Sequence, residues 1–296
     1  IREHTQIENI ISFGSKDNRI ESFHSLLAED FSIEIEPNVS PKELSTVAYT
    51  SGTTGHPKGA MQSHEAVILN GSMMSQLHMR GSDDTVVSAL PCPHVYANVL
   101  MTGMMMFGTK LVLHKTFEVE AIFESIKIHR ATIFDGVPTM YMFMLNSTTL
   151  KSSNLSSLKR CYVGGQTMPV ATMTAVEKEF KVPLIELWGM TEIAGLGATF
   201  PLFGPNKHGS IGCAIPYCEL KIADVDDCSK QMSVGEVGEL MVKGPITMMG
   251  YFGDKEKTRE TLEPDGWLHS GDLAKMDKDG CVYIVDRKKD MIITGG

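Results

Sequence analysis

The amino-acid sequence predicts an α/β protein with a mostly parallel sheet, or sheets, and helices on both faces, followed by a small β-rich, barrel-like subdomain. The first part is indicated by short apolar strand-like segments that alternate with helix-like segments between residues 44 and 187. Such alternation is typical of parallel strands that are covered on both faces. The second part is indicated by a change beyond residue 204, where glycines become frequent and helical periodicity disappears.

The elements of the first part follow in order along the chain. Ser63 is typical of a helix N-cap with Glu65 in the first turn, and Pro138 suits the first turn of a helix. The predicted strands are 45–49, 85–90, 110–114, 131–134, 159–163 and 182–187. The predicted helices begin after Ser63 and span 95–107, 119–129, 138–146 and 169–180.

The later strands are short, and two of them flank a turn. Lys278-Asp-Gly280 is expected to join them as a hairpin. The predicted strands here are 219–223, 237–242, 251–252, 273–277 and 281–286. We therefore divide the chain into an α/β region at 1–204, a β-rich subdomain at 205–286 and a terminal segment at 287–296.

The composition argues against a nucleic-acid partner and predicts no membrane span. The formal net charge is -9, whereas nucleic-acid-binding proteins usually show a basic balance. No apolar stretch reaches the roughly 18 residues that a membrane helix needs. The six cysteines form no C-x-x-C pair, which favours buried thiols in a reducing compartment, so we expect a cytoplasmic protein. Because the chain begins without Met and ends at Gly295-Gly296, we expect it to be a piece of a longer protein.

One loop surrounds a single lysine with glycines and hydroxyl residues, Tyr49-Thr-Ser-Gly-Thr-Thr-Gly-His-Pro-Lys-Gly-Ala60. Small residues let backbone N–H groups approach an anion closely, the hydroxyls add donors, and Lys58 supplies a point charge that suits phosphate. The common P-loop has Ser or Thr after its lysine, whereas Gly59 follows Lys58 here. From composition alone, a structural turn and a polyphosphate site both stay open.

This loop and two other glycine-containing segments follow predicted strands. The other two are Val163-Gly-Gly165 and Trp188-Gly-Met-Thr-Glu192. In parallel sheets, ligands bind at the carboxyl ends of the strands. We therefore expect the three segments to line one crevice, although they lie far apart in the sequence.

Several segments together resemble one enzyme family. Thr50-Ser-Gly-Thr-Thr-Gly-His-Pro-Lys-Gly59 closely resembles the signature loop of the adenylate-forming superfamily, which includes acyl-CoA synthetases, peptide-synthetase adenylation domains and beetle luciferases. The family's other motifs are resembled in the same order by Leu90-Pro-Cys-Pro-His-Val-Tyr96, Gly164-Gly-Gln166, Trp188-Gly-Met-Thr-Glu192, Gly266-Trp-Leu-His-Ser-Gly-Asp272 and Ile284-Val-Asp-Arg-Lys-Lys-Asp290. The resemblance covers about residues 44–296 and implies the family's large N-terminal domain, truncated at its start and lacking the C-terminal domain.

The resemblance implies a site for ATP and Mg²⁺. Glu192 would be the metal ligand, since a hard carboxylate oxygen suits Mg²⁺. Thr191 would donate to the α-phosphate, and His94 would lie between the acyl and nucleotide sites. With Lys58 these three are the expected catalytic residues. The other phosphates would be held by Lys58 and by Thr50, Ser51, Gly52, Thr53, Thr54 and Gly55.

The adenine and ribose would be bound farther along the chain. Trp188 would stack on adenine; the family more often has tyrosine there, but tryptophan keeps an aromatic face. Asp272 would accept from the ribose hydroxyls, and Arg287 would donate to ribose or phosphate. The remaining nucleotide-side residues would be Gly165, Gln166, Gly189, Met190 and Ile284. Gln166 stands where the family more often has alanine, and Lys289 aligns with the family's hinge.

An apolar acyl pocket is the last site that the resemblance implies. Its expected walls are Val95, Tyr96, Val99, Met104, Gly195 and Leu196, with no cationic residue in these stretches to pair with a second carboxylate. The linking segments look most like medium- or long-chain fatty acyl-CoA synthetases.

The expected function is therefore an ATP-dependent carboxylic acid–CoA ligase, with a fatty acid, ATP and CoA as its small-molecule partners. An acyl-adenylate would form with release of pyrophosphate, and CoA would then take the acyl group. Loading of a carrier-protein thiol, a non-catalytic nucleotide-binding fragment and a parallel-sheet kinase stay open as alternatives, and so does a homodimer.

Overall fold

The computed structural model describes residues 11–13, 21–28, 38–50 and 57–288. The chain divides into two compact units, residues 1–39 and residues 40–296. In the first unit, β1 (Ile11–Ser12) pairs in parallel with β2 (Glu21–Ser22), and α1 (Phe23–Leu27) follows.

Strands and helices alternate through most of the second unit. Its elements begin with β3 (Leu44–Thr50), β4 (Lys58–Ser63), α2 (His64–Leu77), β5 (Thr85–Ser88), α3 (Val95–Phe107), β6 (Lys110–Leu113), α4 (Val119–His129), β7 (Ile133–Gly136), α5 (Pro138–Asn146), β8 (Arg160–Gly164), α6 (Val170–Phe180) and β9 (Leu184–Met190). They continue with β10 (Gly195–Thr199), β11 (Cys213–Ala214), β12 (Glu219–Ala223), β13 (Gly238–Lys243), β14 (Gly250–Tyr251), α7 (Lys255–Thr261), β15 (Leu268–Met276) and β16 (Val282–Arg287). Helices α3, α4 and α5 have the bounds that the sequence predicts.

The largest sheet has seven strands in the order β11-β10-β9-β8-β7-β5-β6. The strands from β9 to β6 are parallel to their neighbours, whereas β10 runs antiparallel to β9 and to β11. A turn of only a few residues separates β9 from β10, and so short a connection can join antiparallel neighbours only. The predicted mostly parallel sheet is confirmed, with an antiparallel edge that the sequence analysis did not include.

Helices cover both faces of this sheet. Successive strand residues point to opposite faces, and Ile133 and Phe134 accordingly belong to two separate clusters of buried side chains. Val99 of α3 packs in the cluster with Ile133, and Ile122 of α4 packs in the cluster with Phe134. Within the described residues, no helix combines the length and apolar character needed to cross a bilayer.

The lysine-containing loop does not follow a strand of the parallel sheet. It connects β3 to β4, which are antiparallel and form a three-stranded sheet in the order β14-β4-β3. That β3 belongs to a separate sheet was not predicted, and the expectation that this loop lines one crevice with the other two segments stays a prediction, because residues 51–56 lie outside the described residues. Lys58-Gly59, which the sequence analysis assigned to the loop, begins β4.

The strands beyond residue 204 form a four-stranded antiparallel sheet in the order β12-β13-β15-β16, with β12 and β16 at its edges. Two short strands of this segment pair elsewhere: β11 with β10, and β14 with β4. The β-rich segment is thus connected by backbone hydrogen bonds to both preceding sheets. Its boundaries at 205 and 286 stay predictions.

Candidate active site

A cavity lies where β8 and β9 end. Its volume is about 390 Å³ when the space open to solvent at its mouth is counted. It is lined by Met74, His94, Val95, Tyr96, Val99, Gly164, Gly165, Leu187, Trp188, Gly189, Gly195 and Leu196. We call it the strand-end cavity. It brings together segments that the sequence analysis expected to converge, including the acyl-wall residues other than Met104.

Glycines give this cavity its space and its backbone geometry. Gly195 has φ +131°, a conformation that favours glycine, and a Cβ there would lie 2.9 Å from Asn70 Oδ1 and still closer to Val99. Asn70 also binds the backbone of this turn: its Nδ2 donates to Leu196 O at 2.9 Å, and Leu196 N donates back to Oδ1 at 2.8 Å. The buried Asn70 therefore holds the β9–β10 connection against α2. Sequence reasoning missed it because an asparagine in a helix has no distinctive local signal.

His94 has a structural role and also lines the cavity. Its Nδ1 accepts from Tyr96 N at 3.2 Å, which makes it the N-cap of α3. Partial burial lowers the pKa of His94. His94 therefore presents a neutral imidazole to the cavity, and Nδ1 of that ring is already hydrogen-bonded to Tyr96 N.

A buried ion pair stands behind the wall at Tyr96. The Tyr96 hydroxyl donates to Asp135 Oδ1 at 3.0 Å, and the Arg80 Nη atoms donate to the two Asp135 oxygens at 2.8 and 2.9 Å. Burial raises the pKa of Tyr96 well above its usual value, so the phenol stays protonated as a donor. Sequence reasoning considered only the stretches that form the walls and missed Arg80, which lies between α2 and β5.

Trp188 connects the cavity to the four-stranded sheet. Its indole Nε1 donates to Asp272 Oδ2 at 2.9 Å, and Arg287 Nε lies 3.3 Å from Asp272 Oδ1. Asp272 and Arg287 are also cross-strand partners in β15 and β16. The predicted adenine-side ring and the two predicted ribose-side residues are thus in one connected group.

Lys58 and Glu192 meet at a tyrosine that the sequence analysis did not name. The Tyr251 hydroxyl donates to Glu192 Oε1 at 2.7 Å, and Lys58 Nζ lies 5.0 Å from the Tyr251 ring centroid. The Glu192 side chain is buried, and Gln62 Nε2 donates to the neighbouring Thr191 O at 2.8 Å. The pairing of β14 with β4 is what brings Tyr251 to Lys58, which no local pattern predicts.

Several other predicted site residues do not line the strand-end cavity. Thr50, Met190 and Thr191 are half-buried near the ends of β3 and β9, and neither Gln166, which is exposed, nor Ile284 lines the strand-end cavity. Met104 lines a different cavity. Ser51, Gly52, Thr53, Thr54, Gly55 and Lys289 lie outside the described residues.

The Glu192 carboxylate offers hard oxygen atoms of the kind that bind divalent cations. In the described parts of the chain, the one group of three potential ligands from His, Cys, Asp and Glu is Cys228, Glu263 and His269, and Glu192 is not in it. A single carboxylate suits Mg²⁺, which keeps several waters and is held partly by substrate phosphates. The chemistry at Glu192 thus fits Mg²⁺ bound together with a nucleotide.

The seven-stranded sheet and the strand-end cavity define an α/β protein of the kind that binds its ligand beyond the carboxyl ends of parallel strands. An aromatic ring, a carboxylate and an arginine border that edge through Trp188, Asp272 and Arg287. Such a group suits the flat base and the hydroxyls of a nucleotide.

Comparisons with known proteins identify the family. The chain matches the family described as AMP-binding enzyme over residues 2–252. It is 34% identical over 264 residues to a long-chain-fatty-acid–CoA ligase of Bacillus subtilis, a match that covers 88% of this chain and 47% of that protein. It is 35% identical over 263 residues to an indoleacetate–CoA ligase of Aromatoleum aromaticum, covering 88% of this chain and 51% of that protein.

A solved structure shares the fold. ATP-bound MatB from Rhodopseudomonas palustris superposes with a TM-score of 0.85 at 29% identity, over 93% of this chain and 54% of that chain. The chain belongs to the AMP-binding enzyme family, and the resemblance to the adenylate-forming superfamily is confirmed. It spans about half the length of the curated relatives it matches.

Proposed function

We propose that the protein containing this chain is an ATP-dependent carboxylic acid–CoA ligase. An acyl-adenylate forms with release of pyrophosphate, and the acyl group then passes to the CoA thiol. The family membership and the names of the two ligase relatives support this reaction class. The observation that carries the proposal is the apolar strand-end cavity reaching Trp188, whose indole is hydrogen-bonded to Asp272.

One group of residues binds and positions the nucleotide. Trp188 presents an aromatic face for the adenine, and Asp272 accepts from the ribose hydroxyls. Arg287 donates to ribose or phosphate, with Gly165, Gln166, Gly189, Met190 and Ile284 near the nucleotide. These contacts hold the nucleotide so that its α-phosphate and the carboxylate meet in line.

A second group of residues lowers the repulsion between the two anions. Lys58 and the loop from Thr50 to Gly55 bind the outer phosphates, and Thr191 donates to the α-phosphate. Glu192 would hold Mg²⁺, and the ion would supply positive charge to the phosphates. Tyr251 holds the Glu192 carboxylate in place through its 2.7 Å hydrogen bond. Lys289 is the hinge residue in this proposal.

The acid is proposed to be a medium- or long-chain fatty acid. Val95, Val99 and Leu196 form apolar walls of the strand-end cavity, with the Tyr96 ring beside them. Arg80 does not turn this cavity into a carboxylate site, because its charge is balanced by Asp135. The second candidate acceptor, a carrier-protein thiol, has no contact in the described residues that favours it over CoA.

The test is exchange of labelled pyrophosphate into ATP, measured with a panel of fatty, aryl and amino acids. Exchange that depends on a fatty acid supports the proposal, and subsequent release of AMP with free CoA distinguishes CoA from a carrier protein. Exchange with aryl acids alone contradicts the fatty-acid assignment. ATP binding by calorimetry without any exchange favours a nucleotide-binding fragment, and ADP production favours a kinase.

A matched pair of variants tests the role of Glu192. Glu192→Gln is expected to lower the exchange rate about 100-fold, the scale of losing one electrostatic contact to a reacting phosphate. Glu65→Gln, at an exposed position on α2, is the control and should leave the rate unchanged. Equal rates for the two variants would remove Glu192 from the proposed mechanism.

A further inference from the structure

A second cavity lies farther along α3 from the strand-end cavity. Its volume is about 220 Å³ when the space open to solvent is counted, and about one water molecule fits inside it. It is lined by Met74, Ser75, Arg80, Val86, Leu100, Gly103, Met104, Thr109 and Leu111. Along α3, Val95 and Val99 line the strand-end cavity, whereas Leu100 and Gly103 line the second one. Met74 lines both, so its side chain is a shared wall.

Three residues of this lining carry buried polar atoms without a hydrogen-bond partner in the described part of the chain. They are Ser75 Oγ, Arg80 Nε and Thr109 Oγ1. Their residues are 1%, 6% and 5% exposed, so bulk water does not compensate them. Buried polar groups in folded proteins nearly always have a partner. Three unsatisfied atoms around one cavity therefore point to a ligand that this cavity receives.

The geometry at Gly103 places one of these atoms at the cavity. A Cβ on Gly103 would lie 2.6 Å from Ser75 Oγ. Since Gly103 itself lines the cavity, the absence of a side chain there keeps the Ser75 hydroxyl accessible from it. A larger residue at 103 would both fill the space and cover the hydroxyl.

The charge of the second cavity is balanced. Both Nη atoms of Arg80 donate to Asp135, and its Nε–H has no hydrogen-bond partner in the described residues. The Ser75 and Thr109 hydroxyls can each donate or accept. A neutral oxygen acceptor, such as a hydroxyl or ketone, satisfies these groups without adding a charge, whereas a carboxylate brings one that Asp135 has already balanced.

We propose that the second cavity is the distal part of the acyl site and that it binds a hydroxyl or keto oxygen at the far end of the acyl chain. This inference rests on the proposed function. The Met74 side chain, which is unbranched and adapts readily to its surroundings, changes rotamer to join the two cavities. The competing occupant is a buried water, because in this conformation the second cavity has room for about one.

The test compares fatty acids that differ only at the far end. Series of unsubstituted, terminal-hydroxy and terminal methyl-ketone acids of increasing length are measured by pyrophosphate exchange and, independently of turnover, by calorimetric binding. At one chain length, the oxygenated acid is expected to be used about tenfold better than its unsubstituted partner, the scale of one or two hydrogen bonds. No preference at any length means that the cavity holds water only and overturns the inference.

Variants at Thr109 separate this role from a structural one. Thr109→Val keeps the shape but removes the hydroxyl, and it is expected to abolish the tenfold preference for the oxygenated acid. Thr109→Ser restores the hydroxyl and should restore the preference. Thr102→Val is the matched control, since Thr102 is on α3 and lines neither cavity. An unaltered preference in Thr109→Val contradicts the inference even if the reaction itself is confirmed, whereas absence of exchange and of binding with every acid contradicts the proposed function.

Discussion

The Arg80–Asp135 pair supports the wall of the strand-end cavity, and Asp135→Asn is predicted to destabilise the fold strongly. The side chains are 3% and 0% exposed and joined by hydrogen bonds of 2.8 and 2.9 Å. Burial opposes the charged form of Arg80, but the neighbouring Asp135 carboxylate outweighs it and raises the pKa of Arg80 above its usual range. In the variant, the guanidinium stays charged in the core without its counter-ion.

The magnitude follows from the class of interaction. Breaking a buried ion pair at one partner costs about 3–5 kcal/mol, because an uncompensated charge remains. With an unfolding entropy of about 2.1 cal/mol/K per residue, 1 kcal/mol lowers the Tm of a 296-residue chain by about 1.6 °C, so Tm should fall by roughly 5–8 °C. Loss of the carboxylate that orients Tyr96 should also raise the KM for the acid.

Equilibrium urea unfolding, followed by tryptophan fluorescence and circular dichroism, measures the effect. Asp83→Asn is the control, because it makes the same chemical change at an exposed aspartate. Replacing the pair as a whole, Arg80→Met with Asp135→Leu, should recover most of the lost stability, since neither position then buries an unpaired charge. A loss below about 1 kcal/mol for Asp135→Asn would refute the reasoning, because it would mean that Arg80 reaches water or another anion.

Three further predictions concern the site and its sheet. Trp188→Phe keeps an aromatic face but loses the 2.9 Å donation to Asp272, so the KM for ATP in the exchange assay should rise about threefold to tenfold; an unchanged KM would contradict the role. Gly195→Ala should lower the free energy of unfolding, measured in urea, by more than about 1–3 kcal/mol, because φ is +131° and the new Cβ meets Asn70 and Val99. A variant as stable as the wild type would disprove this. Burial raises the pKa of Glu186 from 4.5 to about 7, so the folded state holds this proton to higher pH than the unfolded state. Stability therefore falls as pH rises from about 4.5 to 7, by roughly 3 kcal/mol, and Glu186→Gln should match the wild type near pH 4.5 but exceed it near pH 8.

Local patterns predicted the helices well. The bounds of α3 and α4 agree with the predicted 95–107 and 119–129. In both helices, apolar side chains recur at helical spacing. The predicted N-cap of α2 is also present, because Ser63 Oγ accepts from Ala66 N at 3.1 Å. The strand β15 was predicted only from residue 273 although it begins at Leu268, because a polar half-strand with a glycine lacks the alternation that identifies a strand.

The sequence by itself determined the alternating α/β order and the family, and five of the six wall residues that it predicted line the strand-end cavity. These are carried by local periodicity and by contiguous motifs, such as Trp188 to Glu192. Only the tertiary structure decided that the lysine loop connects an antiparallel pair, that Tyr251 joins Lys58 to Glu192, and that Asn70 holds Leu196. The physical reason is that such contacts join residues far apart in the chain — Tyr251 and Glu192 by 59 positions, Asn70 and Leu196 by 126 — so no spacing along the chain records them.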